Sequence, residues 1–292
     1  MSYLSDPVLA HLRAVAGRPD MSGTRYRLER EIGRGGMGVV YEAFDEMLQR
    51  RVAIKVVDAG MIEEARIMAS LEHPGIVPVH EAGDLPGGQF FYAMKLVDGV
   101  GLDVYLRQEP SLANRLRLLQ RICDTIAFAH SRDVVHRDLK PNNIMVGAYG
   151  EVLILDWGVA RSAGTVEQDG TVVGTRRYMA PEQAAGRTAQ IGPASDIYSL
   201  GLILRELLAT PAPRPLLAIA AKASASEPAQ RYPDALAMSR DVGRFLDHEP
   251  VEAYRESWME RGQRFAARNP TLLLLVAAYV VARFFLFFVR IW

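Results

Sequence analysis

The chain changes its hydrophobic period once, and that change limits the folds open to it. From Tyr26 to Val97, short runs rich in Val, Ile, Phe and Tyr alternate with turn residues. The runs are Y-R-L-E-R-E-I, V-V-Y-E-A-F and R-V-A-I-K-V-V, then G-I-V-P-V-H and Q-F-F-Y-A-M-K-L-V on either side of D-L-P-G-G. Such runs, punctuated by glycine and proline, predict an antiparallel meander. One stretch interrupts them: I-E-E-A-R-I-M-A-S-L reads as a helix closed by H73-P-G75. Beyond D98-G-V-G101 the pattern turns helical, with helices expected over 111–130, 194–209, 215–223 and 233–247 and short strands at 144–146 and 152–155. A small β-rich unit followed by a larger helical one is an α+β arrangement whose cleft falls at the joint, near residues 95–100.

Composition narrows the partners. The 292 residues are 49% hydrophobic and 23% charged, a globular balance. Thirty-four basic residues offset thirty-four acidic ones, so no global field recruits nucleic acid. Six His and one Cys form no metal-finger spacing, and a lone Cys forms no internal disulfide, which suits a reducing compartment. Cys123 lies at helical period among apolar neighbours and reads as a small buried hydrophobe.

Two termini stand apart. Residues 1–24 read as a loose arm without the basic start and apolar run of a signal peptide. Residues 271–289, T-L-L-L-L-V-A-A-Y-V-V-A-R-F-F-L-F-F-V, are apolar except for Arg283 and match a bilayer core of about 30 Å. They are expected to form a C-terminal transmembrane helix. Arg261, Arg264 and Arg268 would hold the preceding side in the cytoplasm, giving a cell-membrane protein with a single C-terminal pass. With almost nothing after that span, no extracellular sensor is expected. Arg283 would then either snorkel or pair with an acid of another membrane protein.

The chemistry-bearing residues sit on both sides of the joint. G33-R-G-G-M-G38 lies between two strands, whereas a dinucleotide-binding glycine motif leads from a strand into a helix. A glycine hairpin lets bare backbone approach phosphate oxygens. In V-A-I-K, Lys55 shares a strand face with Ala53 and Val57, so its ammonium points somewhere semi-buried and needs a partner. The following helix offers Glu63 and Glu64, and Glu64 is the better placed. Then H136-R-D-L-K-P-N-N143 packs polar groups between apolar runs, followed by D156-W-G158, A180-P-E182 and S195-D-I-Y-S-L-G201.

In this order and spacing, over about residues 26–247, the motifs resemble the eukaryotic-type (Hanks-type) protein kinases, in form the bacterial transmembrane Ser/Thr kinases. The resemblance implies a two-lobed fold: an N-lobe over 25–97, a C-lobe over 98–247, a basic juxtamembrane linker over 248–269 and the span over 270–290. It implies transfer of the ATP γ-phosphate to Ser/Thr hydroxyls of protein substrates, with self-association for autophosphorylation in trans. Asp138 would take the substrate proton and Lys140 would stabilise the transferring group. Lys55, paired with Glu64, would grip the phosphates. Asn143 and Asp156 would hold Mg2+, or Mn2+ in its place. ATP would meet Ile32, Gly33, Arg34, Gly35, Gly36, Met37, Gly38, Val40 and Ala53 above, with Met94, Lys95, Leu96 and Val97 at the hinge. Thr171, then Thr165 and Thr175, would be phosphorylated in the activation loop, with Arg137 pairing the phosphate. Asp196 would brace the catalytic loop, and Arg231 would pair with Glu182.

The chain departs from that pattern in three places. Trp157 replaces the usual Phe, Lys55 and Glu64 are only nine residues apart, and a helix usual after E-L-L-A-T-P is missing. The two shortenings leave a second reading, a nucleotide-binding scaffold (pseudokinase) without turnover.

Overall fold

The computed structural model describes residues 18–35, 38–58, 62–86, 88–157, the backbone of 161–162, and 177–289. Five strands form one antiparallel sheet in the order β1-β2-β3-β5-β4: β1 Tyr26–Gly35, β2 Gly38–Asp45, β3 Arg50–Asp58, β4 Val79–Leu85 and β5 Gln89–Lys95. Strand alternation divides their side chains between two faces. Tyr41, Ala43, Val52, Ile54, Val56, Phe91 and Ala93 gather in a small core on one face. Val57, Phe90 and Tyr92 belong to the main core on the other, with Ala65, Ile67 and Met68 of helix α1 (Ile62–Ser70).

β4 begins later than the run G-I-V-P-V-H suggests. Pro78 has no N–H for a ladder, although its carbonyl accepts from the Lys95 N–H (3.2 Å). Ile76 instead bridges to Ile154, whose N–H donates to the Gly75 carbonyl at 2.8 Å. The segment between α1 and β4 is thereby stitched to the second half of the molecule.

That half opens with β6 (Gly99–Gly101), which pairs with β8 (Ile144–Gly147); β8 in turn pairs with β9 (Val152–Ile154). Between them come α2 (Leu102–Leu106), α3 (Leu112–His130) and β7 (Val134–Val135), the last paired with β10 (Arg161–Ser162). Then follow α4 (Pro181–Ala184), α5 (Pro193–Leu207), α6 (Arg214–Ala223) and α7 (Ala235–Leu246). α3 starts at Ser111, whose hydroxyl accepts from the Asn114 N–H. It buries Leu116, Leu119, Ile122, Cys123 and Ile126, packing against α5 and α7. α5 and α6 cross closely at Gly201, where a Cβ would stand 2.8 Å from that of Ala223. The main core runs unbroken from Val57 and Tyr92 to Val242, so the two lobes share one apolar interior.

The chain after α7 folds back. Asp241, wholly buried, accepts from the N–H groups of Glu252 (2.6 Å) and Ala253 (3.0 Å) and from the Tyr232 hydroxyl (2.7 Å). Val251 is buried beside it. Helix α8 (Trp258–Arg268) follows, capped reciprocally by Ser257 and Glu260, and then α9 (Pro270–Val289).

The expectation of a transmembrane helix, and with it of a membrane partner at 271–289, is corrected here. Among the described residues no helix is long and apolar enough to cross a membrane. The side chains described in α9 end at Arg283.

Candidate active site

The motifs of both lobes converge on one cavity of about 1280 Å3 between the sheet and the helical half. Its upper wall is the β1–β2 hairpin. Ile32, Gly33, Arg34, Gly35, Gly38 and Val40 line it together with Ala53; Gly36 and Met37 lie outside the described residues. Gly38 has φ +129°, and a Cβ there would fall on the Val56 carbonyl oxygen, so this turn onto β3 needs glycine. The Arg34 guanidinium is held by Glu31 through two hydrogen bonds of 2.7 and 2.8 Å.

β3 points Ala53 and Lys55 into the cavity because they share the face opposite Ile54 and Val56. Lys55 Nζ donates to Glu64 Oε1 (2.8 Å) and Oε2 (2.7 Å), and to Asp156 Oδ1 (3.3 Å). Glu64, in the first turn of α1, is buried, whereas Glu63 is exposed and pairs with Arg66. A carboxylate in the first turn also faces the positive end of the helix. The shortened interval therefore still delivers a glutamate to the lysine.

The loop from β7 to the turn Pro141–Asn143 carries Asp138, Lys140 and Asn143. Lys140 Nζ donates to Asp138 Oδ2 at 2.6 Å. Asn143 Nδ2 donates to the Asp138 carbonyl (2.9 Å) and to Oδ2 (3.3 Å). Arg137 and Asp156 hold positive φ (70° and 59°), an uncommon backbone for side chains of this kind that persists only where neighbours enforce it. At Arg137 the enforcement is visible. Asp196 of α5, fully buried, accepts from the His136 N–H through Oδ2 and the Arg137 N–H through Oδ1, both at 2.8 Å. Gln183 Nε2 donates to the Arg137 carbonyl (2.9 Å), while its Oε1 accepts from the Ala180 N–H. Burial acts to raise the Asp196 carboxyl, but the His130 ring, 2.8 Å from Oδ2, and the His136 ring and N–H outweigh it and hold the group below the usual carboxylate range.

His136 is wholly buried. Its Nδ1 accepts from the Asp138 N–H (3.3 Å), which leaves Nε2–H to donate to the Leu155 carbonyl (3.1 Å). Its ring lies 4.6 Å from that of Trp157. Trp157 fills the core beneath the cleft, fully buried, its Nε1 donating to the Ile154 carbonyl at 3.3 Å. The larger aromatic is thus both packed and hydrogen-bonded.

At the joint, Met94, Lys95, Leu96 and Val97 line the back of the cavity. Arg231 and Glu182, away from it, form a buried bidentate pair (2.7 and 2.8 Å), supported by Ser195. There, too, burial pushes the Glu182 carboxyl up, but Arg231 and the Ser195 hydroxyl prevail and the group lies low. Thr165, Thr171, Thr175 and Gly158 lie outside the described residues.

Sequence reasoning missed several members. Val77, Met145 and Leu155 complete the apolar lining, Gln183 clamps the loop and His130 meets Asp196. The apolar three carry no local signal, because any core strand would show the same residue types. Gln183 had one: an amide directly after A-P-E on a buried helix start needs partners.

Comparison with known proteins places this geometry. The family model "Protein kinase domain" matches residues 26–235. The serine/threonine-protein kinase PknA of Mycobacterium tuberculosis is 44% identical over 197 residues, 61% of this chain and 45% of that protein. The probable serine/threonine-protein kinase PknB of Lactococcus lactis is 40% identical over 199 residues, covering 63% and 31%. The serine/threonine-protein kinase PknD of Protochlamydia amoebophila is 36% identical over 231 residues, covering 64% and 23%. The chain spans less than half the length of these relatives. With the family match extending over most of the chain and the motif residues gathered about one cavity, the chain belongs to the protein kinase domain family.

Proposed function

We propose that the chain is an ATP-dependent protein kinase acting on Ser and Thr hydroxyls. The observation that carries this is the meeting of Lys55–Glu64, Asp138–Lys140, Asn143 and Asp156 around one cavity. Members of the family use ATP and a divalent metal.

Phosphoryl transfer passes through a loose transition state, so the protein mainly positions groups and offsets charge. Asp138 is the acceptor for the substrate hydroxyl's proton, and it orients that oxygen toward the terminal phosphorus. Lys140, already 2.6 Å from Asp138, brings its ammonium to the developing charge without reorganisation. Lys55 reaches the phosphates by giving up its longest contact, the 3.3 Å bond to Asp156. That exchange also releases the Asp156 carboxylate.

Among the described residues no cluster of three or more His, Cys, Asp or Glu holds a metal unaided. Magnesium binds through one or two protein oxygens and the phosphates of its substrate rather than in an all-protein cage. Asp156 is the carboxylate for it, and Asn143, with Nδ2 committed to Asp138, offers its amide oxygen. When bound, the metal neutralises phosphate charge. The choice of Ser and Thr rests on Lys140 and on relatives that carry that name. Thr171 is our choice for autophosphorylation, with Arg137 pairing the phosphate.

The test is transfer of labelled γ-phosphate by the full chain, to itself and to a generic basic protein. Incorporation should fall at least 100-fold in Asp138→Asn and in Lys55→Met, with both variants folded by circular dichroism. Nucleotide binding without any transfer by the native chain would favour the scaffold reading instead.

A further inference from the structure

We propose that Tyr92 is a positioning residue for nucleotide binding, its hydroxyl holding the Glu64 carboxylate when Lys55 turns to phosphate. The inference rests on the kinase reading and assigns a role outside its usual residues.

Tyr92 lies in the cavity wall, fully buried, and stands directly opposite Lys55 in the β3–β5 register. Its Oη is buried and makes no hydrogen bond of ordinary geometry. A buried hydroxyl without a partner is costly, and phenylalanine would fill the same space without it. Burial first, then the charge of Glu64, a weak hydrogen-bonding contact with it and the charge of Asp156, push this phenol far above its ordinary range, so it remains a neutral donor. The group that most needs such a donor is beside it.

Glu64 sits in the first turn of a nine-residue helix, and α1 anchors itself to the core through Ala65, Ile67 and Met68 downstream. Lys55 Nζ now spends its three protons on Glu64 Oε1, Glu64 Oε2 and Asp156 Oδ1. Contacts to two phosphates require it to release Asp156 and one oxygen of Glu64. That oxygen would become a buried anionic acceptor lacking a donor. The orphan hydroxyl and the released oxygen satisfy one another, and a rigid strand supplies what the short helix does not.

The experiment uses the full chain and four proteins: native, Tyr92→Phe, Glu64→Gln and the double variant. Steady-state transfer is measured against ATP concentration, and affinity for Mg-ADP is measured by calorimetry. Tyr92→Phe should lower kcat/KM for ATP about tenfold, the size of one hydrogen bond to a charged group. Its thermal midpoint should stay level or rise. In the Glu64→Gln background the same change should cost less than about twofold, because the two act through one contact. Tyr26→Phe, which removes a tyrosine hydroxyl bonded to Glu81 in the same lobe, should match the native kinetics. Native kinetics in Tyr92→Phe, or an equal penalty with and without Glu64, would overturn the proposal. If the native chain transfers no phosphate the kinase reading falls, and equal Mg-ADP affinity in native and Tyr92→Phe protein would sink this inference as well.

Discussion

At the scale of single residues, this chain places buried charge where backbone must be held. Asp196 and Glu182 are both nearly inaccessible, and each has its charge matched by specific donors rather than by solvent. Such pairs add little relative to apolar packing, but breaking one strands a charge. Arg231→Met should therefore cost about 3–5 kcal/mol, read as a lower urea midpoint. A loss below about 1 kcal/mol would mean that water reaches Glu182 once the arginine is gone. The Glu182→Leu/Arg231→Met double variant should recover part of the loss, since no charge is then left behind.

At the scale of elements, the informative piece is the return after α7. The family match ends at residue 235, yet the buried carboxylate of Asp241 takes two backbone N–H groups from residues 252 and 253. A chain ending at Asp247 removes both donors and the buried Val251, whereas one ending at Ser257 keeps them. The shorter form is expected to be less stable by roughly 3–6 kcal/mol, from two hydrogen bonds to a charged group. Differential scanning calorimetry of the two truncations decides it, and equal midpoints would show that the returning segment is merely draped on α7. The same scale shows why β4 starts at Val79. An apolar run with a proline inside it does not state on which side of the proline the ladder begins.

At the scale of the whole molecule, one core passes beneath the cavity and joins both lobes, and Asp196 ties the backbone of His136 and Arg137 to α5 within it. Both Glu182 and Asp196 have carboxyls held below their ordinary range. Each contributes stability that is complete above its unfolded value and is lost as pH falls through its folded one. The urea midpoint should thus change little between about pH 7 and 5 and drop below about pH 4. Unfolding curves at pH 7, 5 and 3.5 check this; a midpoint that falls already between 7 and 5 would point to the histidines instead.

The sequence by itself determined the order of elements and which polar residues come together at the cleft. Period-two runs, helical spacing and the types at positions 55, 138, 143 and 156 are local properties, legible along the chain. Two glutamates, Glu63 and Glu64, were legible as candidates for Lys55, and Glu64 is the one the fold brings to it. What only the tertiary structure decided is what depends on neighbours remote in sequence. The orphan hydroxyl of Tyr92, the apolar lining from Val77, Met145 and Leu155, and the grip of Asp241 on residues 252–253 arise from packing. The C-terminal apolar run shows the opposite failure. Hydropathy read as a membrane span a stretch in which no described helix is long and apolar enough to cross one. The physical reason is the same throughout: residue type sets what a group can do, and whether it does so depends on the distance and dielectric that the folded surroundings impose.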